Sequence, residues 1–253
     1  MHRFFVKQSQ LNDTPIAISG EDYNHMKHVL RLKRGEEVLL CDGGDKEYLC
    51  TITDYNIEKE EVLLEIIDVF ANARELPAKI TLFQGYPKGD KLENIVQKAV
   101  ELGVFEIVPV RMKRCVVKLD EKKAEKKVER LNTISLNAAK QSKRGMIPEV
   151  TRIMSVEEAC RYAESMDYVL LPYENAEGME NARDIIKGAC GKKHIGIFIG
   201  PEGGFEQTEV RKIEAAGGRI LSLGHRILRT ETAGIAVLSL LMFMLDKDIE
   251  TVH

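Results

Sequence analysis

The sequence predicts an α/β protein in two parts: a small, mostly β unit at the N-terminus, then an open parallel sheet covered by helices. Up to about residue 70 the chain reads as short β-branched and aromatic runs broken by turn residues, with a single helical stretch. Beyond Pro77, short apolar runs alternate with stretches of helical periodicity, the pattern of parallel strands joined by crossover helices. Size agrees with this division. At 253 residues, 44% hydrophobic, 30% charged and with 7 Pro, the chain has ordinary globular composition and room for one or two domains of roughly 150 residues.

In the first part, strands are expected at Arg3–Val6, Ile16–Ile18, Glu37–Cys41, Tyr48–Asp54 and Val62–Phe70, with Gly43-Gly44 as a turn. A helix is expected over Glu21–Leu30, opened by Ser19 with Asp22 three residues on. Ala71–Pro77 lacks periodicity and ends in Pro, so it serves as the linker, dividing the chain into domains 1–72 and 73–253.

In the second part, strands are expected at Ile80–Phe83, Phe105–Val110, Tyr168–Leu171, Ile195–Ile199 and Ile220–Leu223. A helix beginning near Lys88 carries Leu92, Ile95, Val96, Ala99 and Leu102 on one side, and another opens with the capping box Ser155 to Glu158. The last helix, from about Glu231 to Leu245, is apolar nearly all round. It must be buried, in its own core or against a second copy of the chain.

No basic segment followed by an apolar one opens the chain, and the longest apolar run, Ile235–Leu245, is well short of the ~20 residues of a membrane-spanning helix. The five cysteines (Cys41, Cys50, Cys115, Cys160, Cys190) are scattered, and His25 and His28 carry no ligand set with them. A soluble, unprocessed, cytoplasmic protein without a metal is expected.

The net charge of −3 conceals an asymmetry: Arg111–Arg144 holds 12 Lys or Arg against 4 Asp or Glu, leaving 25 against 36 elsewhere. Lys122, Lys126 and Arg130 recur at i, i+4, i+8 beside a separate stripe of Ala124, Val128, Leu131 and Ala138, so a helix here carries a cationic ridge. Phosphate would neutralise such a ridge. A solvated helix is the plainer alternative, since Asp120 with Lys123, Lys122 with Glu125 and Lys126 with Glu129 are opposite i, i+3 pairs. The first 34 residues are mildly basic as well, through Arg3, Lys7, Lys27, Arg31, Lys33 and Arg34.

Ligands of open α/β sheets bind beyond the carboxyl ends of the strands. Three such ends stand out: Leu170–Glu174, Gly200-Pro201-Glu202-Gly203-Gly204, and Leu223–Thr232. The glycines allow close backbone approach, or they make no more than a tight turn. Neither G-x-G-x-x-G nor G-x-x-x-x-G-K-[ST] occurs, which disfavours dinucleotide and nucleotide-triphosphate sites. Arg229 can pair with Glu231 or stabilise an anion that develops in a reaction; Glu202 can hydrogen-bond backbone amides or accept a proton.

Several motifs in order, Arg3-Phe4-Phe5-Val6, His28-Val29-Leu30-Arg31, Lys88-x-Asp90-Lys91, Gln97-Lys98-Ala99-x-Glu101-Leu102-Gly103, Gln141-Ser142-x-Arg144, Gly200–Phe205 and Leu223-Gly224-x-Arg226-Ile227-Leu228-Arg229-Thr230-Glu231-Thr232-Ala233, resemble the bacterial 16S ribosomal RNA uracil-N3 methyltransferases. The resemblance spans nearly the whole chain. It implies a PUA-like RNA-binding β-barrel followed by a SPOUT α/β domain with a trefoil knot, working as a homodimer on 16S rRNA in the small ribosomal subunit.

The resemblance also implies S-adenosylmethionine as cofactor, held by knot loops that map to Leu171, Pro172 and Glu174, to Gly200, Pro201, Glu202, Gly203 and Gly204, and to Leu223, Gly224, Ile227, Leu228 and Arg229. Methyl transfer to N3 of a specific uridine leaves negative charge on the ring carbonyls. From that chemistry Arg229 is the first candidate to stabilise the charge, and Glu202 a second candidate, for proton acceptance. Arg3, His28, Arg31, Lys33, Lys88, Lys91, Lys122, Lys126, Arg130 and Arg144 are the candidate RNA contacts. A SPOUT enzyme acting on ribose 2′-OH or another base, and a noncatalytic RNA-binding assembly factor, are the alternatives.

Overall fold

The structure is a computed structural model describing residues 1–44, 46–72, 74–116, 121–174 and 179–246. Two compact units result, Met1–Glu75 with Ala139–Ile147, and Leu76–Ala138 with Pro148–His253. This division differs from the one read along the chain, because residues 139–147, far from the N-terminus in sequence, count with the first unit.

In the first unit, strands β1 (His2–Phe5), β2 (Ile16–Ser19), β3 (Glu37–Cys41), β4 (Lys46–Asn56) and β5 (Glu61–Ala71) form a sheet ordered β1-β3-β4-β5-β2. Only the β1–β3 pair is parallel. Ile16 with Ile18, Val38 with Leu40, Cys50 with Ile52 and Val62 with Leu64 are buried at a spacing of two, which puts them on one face around Phe4 and Met26. The expected ten-residue helix is instead a short α1 (Glu21–Asn24) running into a π-helical turn, His25–Val29. Ser19 ends β2 and does not cap; the N-cap is Gly20 at φ +71°.

Two cations assigned to RNA are committed inside this unit. Arg3 forms a bidentate ion pair with Glu47, both side chains 8% exposed. Arg144 is buried against Glu75, which also accepts the Gly145 N–H at 3.1 Å. A guanidinium neutralised in place by a buried carboxylate is not free for a phosphate, so these two positions are corrected to structural ones.

The second unit comprises β6 (Lys79–Gly85), α2 (Lys91–Glu101), β7 (Glu106–Arg111), α3 (Glu121–Gln141, continuing into the first unit), β8 (Glu149–Val150), β9 (Met154–Ser155), α4 (Val156–Ala163), β10 (Tyr168–Pro172), α5 (Met179–Lys187), β11 (His194–Ile199), α6 (Gln207–Ala215), β12 (Gly218–Leu221) and α7 (Thr230–Leu245). Its strands run in the order β12-β10-β11-β6-β7-β8, with β9 also on β7, and every pairing is parallel. Sheet and helices make three layers. One face packs Phe83, Val108 and Phe198 against α4 and α6, the Phe83 and Phe198 rings stacking at 4.4 Å; α2 and α7 cover the other.

Helix α7 buries Val237, Leu238 and Leu241 completely, about 1.5–3 kcal/mol for each side chain withdrawn from water. Its opposite side leaves Leu240, Phe243 and Met244 exposed, Phe243 by 65%. On α3, Lys122, Lys126 and Arg130 lie exposed as the spacing requires, with Leu131 and Ala138 buried. Lys122 and Lys126 form no ion pair among the described residues, whereas Arg130 reaches Glu93 of α2 at 2.8 Å. Asp120 lies outside the described residues. No described helix is long and apolar enough to cross a membrane, and no group of three or more potential metal ligands occurs among the described residues.

Candidate active site

Because β12, β10, β11 and β6 are consecutive neighbours and parallel, their carboxyl ends lie side by side, and the loops leaving them enclose a pocket of about 310 Å³. That volume is near the lower end of the range for small-molecule sites. Pro172, Tyr173 and Glu174 form one wall, tied down by the Tyr173 N–H donating to the Leu221 carbonyl at 3.0 Å. Gly200, Pro201, Glu202, Gly204 and Phe205 form the second. Here Gly204 sits at φ +69°, and its N–H donates to the Pro201 carbonyl at 2.9 Å. Ser222 to Gly224 and Arg226 to Arg229 form the third, the chain bending at Gly224 with φ +112°.

Of the thirteen residues assigned to the cofactor, eleven line this pocket. The other two do not line it: the Leu171 side chain is fully buried in the core, and a Cβ on Gly203 would meet Arg114 Cβ at 2.9 Å. The pocket also takes in Tyr173, Arg226 and Thr230, which lie within the strand ends picked out but were not assigned to the cofactor, and Ile199, Phe205, Ser222 and Ala233, which adjoin those ends, so the signal was proximity along the chain.

Lys91, read as an RNA contact, belongs to the pocket wall. It is the first residue of α2, and its Nζ lies 2.9 Å from Glu202 Oε1 and 3.7 Å from Glu231 Oε2, linking two of the walls. The hydrogen bond with Glu202 raises its pKa. Glu202 additionally accepts the Lys88 N–H at 3.1 and 3.4 Å. Burial pushes the Glu202 carboxyl up, but the Lys91 hydrogen bond, backbone N–H donors and the Lys91 charge outweigh it and hold the group below the ordinary value. A general base works best with a pKa near the operating pH, and a carboxylate held by Lys91 and the Lys88 N–H is better disposed as an anchor than as a proton acceptor.

Arg229 is the N-cap residue of α7, exposed at the pocket. The pairing with Glu231 considered from the sequence does not form, and no carboxylate among the described residues ion-pairs with Arg229. Glu231 Oε2 is instead buried without a hydrogen-bond partner, at the positive end of α7.

The residues fit S-adenosylmethionine. Apolar Ile199, Leu223 and Leu228 suit an adenosyl group, while the Glu174 carboxylate favours a cationic centre on the ligand. Arg226 and Arg229 match a ligand carboxylate or another anion.

Residues 74–242 match the model of an RNA methyltransferase domain, and residues 18–67 that of an RNA methyltransferase PUA domain. The chain is 35% identical over 249 residues to the ribosomal RNA small subunit methyltransferase E of Bacillus subtilis, covering 96% of each. The crystal structure of a ribosomal RNA small subunit methyltransferase E from Neisseria gonorrhoeae, bound to S-adenosylmethionine, superposes with a TM-score of 0.79 at 29% identity, covering 96% of this chain and 98% of that one. A Legionella pneumophila structure in complex with bound S-adenosylmethionine gives 0.78 at 34% identity, covering 95% and 96%.

Proposed function

The chain belongs to the ribosomal RNA small subunit methyltransferase E family, and from that premise we propose that it methylates N3 of a specific uridine in 16S rRNA of the small ribosomal subunit. It is an S-adenosylmethionine-dependent rRNA methyltransferase. What carries the finer reading is Arg229, a cation without an ion-pair partner among the described residues, at a pocket fit for the cofactor.

The cofactor supplies an electrophilic methyl group. Pro172, Glu174, Gly200, Gly204, Leu223 and Leu228 hold it, and the protein aligns the target nitrogen with it. Loss of the N3 proton leaves negative charge on the uracil carbonyl oxygens, and Arg229 donates to them. Such a donor, prearranged where charge develops, contributes about 10²–10³ in rate. Lys91 adds positive charge to the same wall while Glu202 keeps it in place.

Uridine N3 is engaged in pairing within a duplex, so the target base is unpaired or extruded. His28, Arg31 and Lys33, exposed in the first unit, and Lys88, Lys122, Lys126 and Arg130, exposed in the second, hold flanking phosphates. The exposed apolar side of α7, with Leu240, Phe243 and Met244, supports a homodimer. The return of the chain from β12 at the sheet edge to α7 against the central β6 and β11 supports the trefoil threading. The substrate particle places the enzyme in the cytoplasm.

The test is incubation of the protein with S-adenosylmethionine and small subunits from cells lacking the activity, followed by nucleoside mass spectrometry. N3-methyluridine is the expected product. Another methylated nucleoside overturns the base assignment, and Arg229→Ala with full turnover overturns the role of Arg229.

A further inference from the structure

Gln84, next to last in β6, is fully buried and does not line the pocket, yet its side chain bonds the pocket residue Thr230 and through it reaches Gly200. Its Nε2 donates to Thr230 Oγ1 at 2.8 Å and to the Gly85 carbonyl at 3.0 Å. The Thr230 hydroxyl donates in turn to the Gly200 carbonyl at 2.6 Å. Proton counting sets the polarity of this chain. A hydroxyl has one proton, here given to Gly200, so Thr230 must accept from Gln84, whose two amide protons are then both used.

The backbone is locked at the same point. A Cβ on Gly85 would meet Pro201 N at 2.6 Å and Gly200 C at 2.9 Å, so the end of β6 and the loop after β11 touch main chain to main chain. Gln84 Oε1 is buried without a hydrogen-bond partner, and α7 leaves space for it at Gly234, where a Cβ would stand 3.6 Å away. An amide that leaves its own acceptor unpaired is held for what its donors do. Those donors fix Thr230, the pocket residue that follows Arg229 and opens α7.

We propose that Gln84 and Thr230 are a positioning pair for methyl transfer, aligning the Gly200 carbonyl and the start of α7 so that the cofactor pocket and Arg229 stay in register. The pair rests on the methyltransferase reading of the pocket. Neither residue is needed at the reacting atoms for this role; the pair acts through the loops it joins.

Thr230→Ser and Thr230→Ala both remove the methyl group and differ only in the hydroxyl. Calorimetric titration with S-adenosylmethionine and with S-adenosylhomocysteine should give Kd near wild type for the first and about tenfold weaker for the second. Gln84→Met should match Thr230→Ala, and the double variant should bind no worse than the weaker single. A general loss of folding weakens the apparent Kd only by the factor of the folded fraction, which thermal melting of each variant measures, so the two are read separately. Equal Kd for the Ser and Ala variants, or additive losses in the double variant, overturns the pair; should Gln84→Met not fold, the Ser and Ala contrast decides alone. Wild-type protein that binds neither compound overturns the methyltransferase reading itself.

Discussion

Glu202→Gln separates an anchor from a general base by the size of the effect. The Glu202 carboxylate accepts the Lys88 N–H and the Lys91 ammonium, the latter at 2.9 Å. Gln retains an oxygen for the Lys88 N–H and loses the charge opposite Lys91. Because Lys91 and Glu202 are partly exposed, water screens that pair, and its removal should weaken S-adenosylmethionine binding only about twofold to fivefold. Turnover of bound substrate should stay within the same range. Loss of a general base would instead lower kcat by about 10²–10⁴ at unchanged affinity. The sign of the pH effect agrees: a carboxyl held below its ordinary pKa contributes its ion pair above that ordinary value and loses it only as pH falls through the lowered one. Glu202 therefore adds no acid limb to the rate between about pH 5 and 8. Calorimetry gives Kd and single-turnover methylation gives the rate; a hundredfold fall in rate with Kd intact, together with loss of an acid limb, would refute the anchoring role.

Removing both the charge and the donors of Arg144 with Arg144→Met should cost about 3–5 kcal/mol by denaturant titration, because the Glu75 carboxylate is left without its ion pair, while the salt dependence of RNA binding stays as in wild type. Alanine at Lys122, Lys126 and Arg130 together should reduce the slope of log K against log salt for small-subunit binding by about 2, at roughly 0.7 per phosphate contact, with cofactor affinity unchanged; an unaltered slope removes the ridge from the interface. Ser155 accepts the Glu158 N–H at 3.2 Å at the start of α4, so Ser155→Ala should cost about 1 kcal/mol, a melting shift of roughly 2–4 °C. The backbone N–H of Ser155, then Arg152 and the Ser155 hydroxyl, hold Glu158 down to a pKa of about 2, so the deficit of Glu158→Gln in thermal melting should be full at pH 7, begin to shrink as pH falls below the ordinary value of 4.5, and vanish toward pH 2.

What the sequence determined by itself was whatever depends on neighbours along the chain. The period-two burial of Ile16 with Ile18 and of Val62 with Leu64, the capping box at Ser155, and the cationic spacing of Lys122, Lys126 and Arg130 are local patterns, and the elements they dictate are present. The three strand ends that converge were legible for the same reason, since parallel strands put their carboxyl-end loops on one edge. Only the tertiary structure decided how charges pair. Arg3 finds Glu47, Arg144 finds Glu75 and Lys91 finds Glu202 across 44, 69 and 111 positions of chain, and no local pattern records which carboxylate a distant cation will meet. Gln84 and Thr230 are 146 positions apart, and their hydrogen bond exists because β6 lies at the centre of the sheet with α7 packed across it. Burial then assigns the roles: a cation neutralised inside the core is structural, and one left without a partner at the pocket edge is available for chemistry.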